Sequence, residues 1–379
     1  MKRSITGRAA FLPAAVILAL GLTACGAANE EPAADTDTEA GAETDAGAET
    51  DQELSGTIAG AGASSQAAAM EAWIAGFTSE YPDVTVNYDP IGSGGGREQF
   101  VAGGTDFGGS DAYLDEEELP QAQERCAPGE LIETPTYISP IAVIFNLEGI
   151  DSLNMRPETI AGIFNQEITN WNDPAIAEDN PDVDLPDLPI TPVNRSDESG
   201  TTENFVEYLA AAAPDAWPHE VSGNWPVSGG EAAQGTSGVV GAVQGGEGTI
   251  GYADASQAGD LGTVAVGVGE EFVEYSPEAA AAVVEASERV EGRPQYSFAI
   301  DLARDTTESG TYPIVLVSYH LACTSYEDET TANLVREFLT YVISEEGQQT
   351  SADAAGSAPI SDSQRETYQA AFDEISAAS

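Results

Sequence analysis

The sequence predicts an α/β protein of two lobes, and three observations carry that reading. Strand-like and helix-like patterns alternate from residue 54 onward, which favours an α/β architecture. Two unbroken apolar runs, YISPIAVIFN (137–146) and YPIVLVSYHLA (312–322), have the pattern of strands buried on both faces. The stretch from residue 54, about 325 residues, exceeds what one small core organises, so two lobes are expected.

Taken in order, LSGTIAGAG (54–62) reads as a strand running into a Gly turn. SSQAAAMEAWIAGFTSEYP (64–82) reads as a helix, because Met70, Trp73, Ile74 and Phe77 fall at i, i+3, i+4 and i+7. DVTVNYDPIG (83–92) alternates Val84, Val86 and Tyr88 as a strand does. SGGGREQFVAGG (93–104) opens another turn and a short helix. After the first apolar run, LPITPVN (188–194) is a strand, and TTENFVEYLAAAA (201–213) is a helix with Phe205, Tyr208, Leu209 and Ala212 on one face. GTIGYAD (248–254) is a strand after a Gly turn. SPEAAAAVVEASERV (276–290) is a helix with Ser276 as its cap and Pro277 at its first position. TANLVREFLTYVIS (331–344) is a long helix near the C-terminus.

Residues 1–24 read as a lipoprotein signal peptide. Lys2, Arg3 and Arg8 form a basic region, and AAFLPAAVILALGL (9–22) is apolar but too short for a comfortable membrane span. LTAC (22–25) resembles a bacterial lipobox, in which Cys25 is lipidated and becomes the new N-terminus, anchoring the chain to the cell membrane without a spanning helix. Residues 25–53 read as a disordered acidic tether. Beyond Cys25 they hold no aromatic or branched aliphatic residue, and AGAETD occurs twice, at 40–45 and 46–51. Such a tether reaches on the order of 30 Å as a flexible coil.

The chain has 379 residues, 65 Asp plus Glu against 12 Lys plus Arg, and a formal net charge of −53. Cleavage at the lipobox removes Lys2, Arg3 and Arg8 and leaves nine arginines and no lysine. This surface repels nucleic acid and anionic lipid headgroups, so the membrane is met only through the lipid anchor and nucleic acid is not a partner. Cys126 and Cys323 are then the two remaining cysteines of an exported chain, which favours a disulfide.

Four segments invite chemistry: GAGASSQ (60–66), PIGSGGGREQ (90–99), DFGGSDAYL (106–114) and RSDESGTTENF (195–205). The first, second and fourth set free backbone N–H groups of a helix start beside a Ser or Thr hydroxyl, an arrangement that binds anions. One such turn is usually only a cap. Three in one chain, one of them with an arginine, point to an oxyanion. The serine-hydrolase elbow and the P-loop motif are both missing. His219 and His320 stand singly, without metal-ligand spacing, and read as structural. DNPDVDLPD (179–187) lacks the Gly and closing Glu of a calcium loop. No catalytic residue, cofactor or metal is therefore expected.

Jointly, GAGAS, IGSGGG, DFGGSDAYL, MRPETIAGIFNQEITNWNDPAI (155–176), RSDESGTT and GTIGYAD resemble, in order, the phosphate-binding lipoproteins of high-affinity phosphate ABC transporters, the PstS family. The resemblance covers nearly all of 54–379. It implies a two-lobed periplasmic-binding-protein fold, type II-like, with two hinge strands and the ligand between lobes. One lobe would be 54–145 plus 310–379, the other 146–309, which puts Cys126 and Cys323 in the same lobe. It implies inorganic phosphate as ligand, delivery to a permease and its ATPase, and a monomer. Ser64 and Ser65 match positions that supply hydroxyl and backbone donors; many relatives carry Thr-Phe there, so Ser65 is expected to serve through its backbone N–H. Ser93 matches a donor serine. Asp111 matches a ligand-facing carboxylate. Arg195 matches the anion-binding arginine, Ser199, Gly200 and Thr201 match donors at a helix start, and Asp197 matches the residue that braces the arginine. Glu198 and Glu203 are expected to be solvated.

These residue types make physical sense together. Hydroxyls and backbone N–H groups give charge-assisted bonds to a dianion, and arginine offers a planar fork that lysine lacks. Phosphate near neutral pH keeps a proton that a carboxylate can accept, whereas sulfate leaves that acceptor unpaired. Arsenate shares phosphate's protonation and stays open as a ligand, as does a sensor role. An exported phosphatase is a weaker alternative, because no base stands next to a serine.

Overall fold

The computed structural model describes residues 54–378, and in it the alternation read from the sequence becomes one large sheet with helices packed on it. The signal peptide, Cys25 and the acidic tether lie outside these residues. The chain begins β1 (Gly56–Gly62), α1 (Ala67–Glu80), β2 (Val84–Asp89), α2 (Ser93–Val101), β3 (Phe107–Ser110), α3 (Glu118–Cys126) and β4 (Leu131–Phe145). It continues β5 (Ser152–Met155), α4 (Pro157–Phe164), α5 (Pro174–Asp179), β6 (Thr191–Arg195), α6 (Gly200–Ala212), β7 (Glu231–Ala233), α7 (Gly235–Gly245), β8 (Thr249–Asp254), β9 (Gly262–Val268) and β10 (Glu271–Val273). The last part is α8 (Pro277–Glu285), β11 (Glu288–Arg289), β12 (Ile300–Asp301), β13 (Val315–Cys323), β14 (Ser325–Tyr326), α9 (Glu329–Ile343), α10 (Glu345–Ala355), α11 (Asp362–Phe372) and β15 (Ser376–Ala377).

The main path of the sheet is β2-β1-β3-β13-β4-β8-β6-β7, and β9 pairs the end of β4. At one end β1 runs parallel to β2 and β3; at the other, β6 runs parallel to β7 and β8. β4 belongs to both ends. Its first ten residues lie antiparallel to β13, and Ile141 to Phe145 lie antiparallel to β8. Every residue of β4 is buried, as the apolar run predicts. The strand starts earlier than that run because Glu133, in its polar beginning, finds buried partners: the Leu114 N–H at 2.6 Å and Arg293 at 2.6 Å.

Aromatic side chains pack at both ends of the sheet, within one continuous buried cluster. Met70, Trp73 and Phe77 of α1 are buried, with Phe77 edge-on to Phe338 of α9 at 5.4 Å. Phe205 of α6 stacks on Tyr252 of β8 at 4.5 Å, with Phe164 and Trp225 around them. Burial of side chains this large contributes roughly 1.5–3 kcal/mol each. His320 sits among Phe107 and Trp73, and burial lowers its pKa to about 3, so it stays neutral. Cys126 and Cys323 form a disulfide that ties the end of α3 to the end of β13.

Among the helices, α1 and α8 differ from expectation at one boundary each. α1 starts at Ala67 and not at Ser64, because Ser64 to Gln66 form the turn that leaves β1. α8 is capped by Ser276 with Pro277 first, as read, but stops at Glu285. Beyond it Ser287 turns its hydroxyl back to Val283 O, and Arg289 pairs in β11, its guanidinium over Phe298 and bonded to Ser297 O.

Candidate anion-binding site

The turns singled out in the sequence all leave the carboxyl ends of parallel strands, where α/β sheets place ligands. Ser64 and Ser65 follow β1, Ser93 opens α2 after β2, and Asp111 follows β3. Arg195 ends β6, Ser199 is the N-cap of α6, and Gly200 and Thr201 begin that helix. The fold gathers these residues from both ends of the sheet: Ser65, Ser93 and Thr201 share hydrogen bonds with Asp111, Ser64 and Arg195 are tied to the start of α7 through Thr236 and Asp197, and Ser199 caps its own helix. None of the eight is a surface group: Ser64, the most open of the seven with a side chain, is 8% exposed, and Gly200 is buried.

Asp111 is the centre of the cluster. Its carboxylate accepts from Ser65 Oγ at 2.6 and 2.8 Å and from Thr201 Oγ1 at 3.0 Å. Its N–H donates to Ser93 Oγ at 3.1 Å, and its carbonyl accepts from Asn204 Nδ2 at 2.7 Å. Ser93 Oγ, used here as an acceptor, keeps its own hydrogen to give. Gly200 lies so close that a Cβ there would meet Asp111 Cβ at 2.7 Å and Ser93 Oγ at 2.8 Å. The Ser65 hydroxyl is committed to Asp111.

Arg195 and Asp197 form a fork-to-carboxylate pair, with Nε on Oδ1 at 2.8 Å and Nη2 on Oδ2. Asp197 is held from its other side by the Gly235 N–H at 3.0 Å. Among the described residues Nη1 of Arg195 has no hydrogen-bond partner, so the brace leaves part of the fork uncommitted. Ser199 Oγ caps α6 by accepting from Thr202 N at 3.2 Å. The N–H groups of Gly200 and Thr201, in the first turn, have no partner within the helix by geometry. Ser64 Oγ is met by Thr236, whose N–H donates at 3.1 Å and whose Oγ1 lies at 3.1 Å.

The electrostatics separate the two aspartates. Burial raises the pKa of Asp111, and the Ser65 and Thr201 hydroxyls and the Arg195 charge offset only part of that. Burial would raise Asp197 too, but the bonds and charge of Arg195 and the Gly235 N–H outweigh it and hold Asp197 below the usual carboxylate range. Asp197 is thus a firmly ionised partner for the arginine. Asp111 is a carboxylate ringed by hydroxyls and set beside a cation.

A family model for the PBP superfamily domain matches residues 47–346. Phosphate-binding protein PstS 3 of Mycobacterium leprae (strain TN) is 35% identical over 328 residues, which is 84% of this chain and 87% of that one. The chain belongs to the PstS family. Phosphate-binding protein PstS 2 of Mycobacterium tuberculosis (strain ATCC 25618 / H37Rv) is 34% identical over 83% of this chain and 86% of its own. Among solved structures, a high-affinity periplasmic phosphate-binding protein (PfluDING) bound with phosphate is similar at a TM-score of 0.68 and 22% identity, covering 83% of this chain and 93% of that chain. A phosphate binding protein (PBP) from Stenotrophomonas maltophilia is similar at a TM-score of 0.64 and 19% identity, covering 83% of this chain and 94% of that chain. The fold of this PstS family member is accordingly the two-lobed α/β fold of periplasmic binding proteins.

Several residues of the cluster escaped the sequence reading. α7 went unread because GTSGVVGAVQG is rich in glycine; it is helical because Val239, Val240 and Val243 pack on the sheet. Its first residues hold both Asp197 and Ser64. Asn204 of α6 takes part through its amide, which donates to Asp111 O and Gly200 O. Two expectations need correction. Glu198 is exposed but not free, because it pairs with Arg97 at 2.9 Å. Glu203 is half-buried, and burial, with Glu207, Glu118 and Glu198 near it, raises its pKa to about 7 despite the opposing charge of Arg97.

Proposed function

We propose that this chain is an extracytoplasmic solute-binding protein that captures inorganic phosphate and delivers it to the permease of an ABC transporter. Kinship with PstS relatives over most of the chain supports this, and so does the site chemistry. The observation that carries it is Asp111: a buried carboxylate, raised in pKa, next to a braced arginine and a set of helix-start N–H groups. In this reading Arg195 Nη1, the hydroxyls of Ser64, Ser93 and Ser199 and the N–H groups of Ser65, Gly200 and Thr201 donate to phosphate oxygens. Asp111 accepts the proton that phosphate retains. Sulfate has no such proton and meets an unpaired, repelling acceptor.

The lobes in this reading are 54–145 with 310–379, and 146–309. Closure is a hinge motion about the two chain segments that join them, near 145–146 and 309–310. The chain acts as a monomeric carrier without a catalytic residue, held to the cell membrane by lipid on Cys25 and lifted from it by the acidic tether. The test is a calorimetric titration of phosphate and of sulfate on the lipid-free domain, wild type and Asp111→Asn. Wild type is expected to take phosphate and refuse sulfate, and Asp111→Asn to lose much of that preference. Unchanged selectivity in the variant would refute the role of Asp111. Release of phosphate from an ester substrate would favour an enzyme instead.

A further inference from the structure

Arg97 is 5% exposed and extends from the same helix that Ser93 opens. Two of its bonds stay at its own end of the sheet: Nε donates to Glu118 at 2.7 Å and Nη1 to Ser110 Oγ at 3.1 Å. The third crosses the cleft, from Nη2 to Glu198 at 2.9 Å. Glu198 stands between Asp197, which braces Arg195, and Ser199, which caps α6. Burial opposes the charge on Arg97, but Glu118, Glu203 and Glu198 outweigh it and raise its pKa, so the guanidinium remains ionised. The contact also has a fitted seat. A Cβ on Gly94 would meet Cδ, Cβ and Cγ of Glu198 at 2.6–2.8 Å, so the bare backbone of α2 is what lets the glutamate lie across it.

We propose that Arg97 and Glu198 form a latch across the closed cleft, which sets how long a ligand stays and not which ligand is chosen. This rests on the reading of the cleft as a phosphate site. Neither side chain is among the groups assigned to the ligand, so the pair is a positioning device. It forms only when the two sides meet. Its loss therefore speeds reopening and leaves capture by the open form unchanged. The effect is moderate for two reasons. The Glu198 side chain is 46% exposed, and Arg97 keeps Glu118 when Glu198 is neutralised.

The experiment is stopped-flow measurement of phosphate association and dissociation on wild type, Glu198→Gln, Gly94→Ala and, as a control for loss of a remote surface pair, Asp362→Asn. Glu198→Gln is expected to raise the dissociation rate about two- to fivefold with the association rate and the phosphate-to-sulfate ratio unchanged. Gly94→Ala, which keeps both charges but crowds the glutamate, is expected to act in the same direction, and Asp362→Asn to act on neither rate. An unchanged dissociation rate in Glu198→Gln, or a change confined to association, overturns the latch. The underlying reading fails separately: wild type without any phosphate signal removes the ligand. The latch is then judged by hydrogen exchange at residues 93–97 and 198–201, which Glu198→Gln must accelerate.

Discussion

The hydroxyl of Ser65 is shared between both carboxylate oxygens of Asp111, at 2.6 and 2.8 Å, in a site where neither residue is more than 2% exposed. Thr201 reaches the same carboxylate from the other end of the sheet. The group proposed to sense the ligand's proton is thus aimed by two hydroxyls that approach from opposite sides of the cleft.

Removing the Ser65 hydroxyl takes away the largest influence opposing the raised pKa of Asp111. Ser65→Ala is expected to weaken phosphate binding about tenfold, the cost of one lost bond to a buried charged group. It should also move upward the pH at which sulfate begins to bind, since a protonated Asp111 donates where it formerly accepted. Calorimetric titrations of both anions across the acid range check this; an unmoved onset for sulfate would contradict it.

Gly200 lies at a tight approach, where the atoms a Cβ would meet are Asp111 Cβ, Ser93 Oγ and Ala112 N at 2.7–2.9 Å. Gly200→Ala wedges the two sides apart. Overpacking of this kind costs about 1–3 kcal/mol, so the phosphate dissociation constant should rise on the order of ten- to a hundredfold. Small-angle scattering with saturating phosphate is expected to show a larger radius of gyration than wild type. Equal radii would mean the structure yields elsewhere.

The pH dependence of stability should depend on Asp254, which is fully buried where β8 meets β4, takes the Tyr137 hydroxyl at 3.0 Å, and is raised by burial to about 7. Because its pKa is higher in the folded chain than in the unfolded one, it stabilises at low pH, and that contribution is lost as pH climbs from about 4 to 7. His320 works in the opposite sense. Lowered to about 3, it withdraws stability as pH drops below its unfolded pKa of about 6.5. Asp254→Asn is therefore expected to steepen the fall of the melting temperature between pH 7 and 4. A scanning calorimetry series with parallel wild-type and variant slopes would count against this.

How much of this was legible in the sequence varied with how local each signal was. The apolar runs at 137–146 and 312–322, the capped Ser276-Pro277 start and the turn motifs all carry their cause within a few residues, and the fold class followed from them. The polar beginning of β4 did not, because the partner that lets Glu133 be buried, Arg293, lies 160 residues away. Glu198 looked solvated for the same reason: its partner Arg97 lies 101 positions away. The glycine-rich α7 is helical through packing and not propensity. The candidate site itself rests on the family resemblance, since a buried Asp111 is indistinguishable by composition from the other acids of so acidic a chain.

That acidity has a kinetic consequence for an anionic ligand. With a formal net charge of −53, the chain repels phosphate at long range, and the Debye length shortens from about 30 Å at 0.01 M to about 8 Å at 0.15 M salt. The association rate of phosphate is expected to rise over that interval, whereas a basic protein would show a fall. Stopped-flow rates that decline with salt would place a local positive field at the cleft mouth.

β4 exchanges one partner strand for another between Pro140 and Ile141, passing from β13 to β8 without a break. Neither end of the sheet owns it. If either end melted alone, the strand would be left with a row of unpaired backbone groups and a bare apolar face. The two ends of the sheet are therefore bound to a common fate on heating, and the described domain is expected to unfold as one cooperative transition.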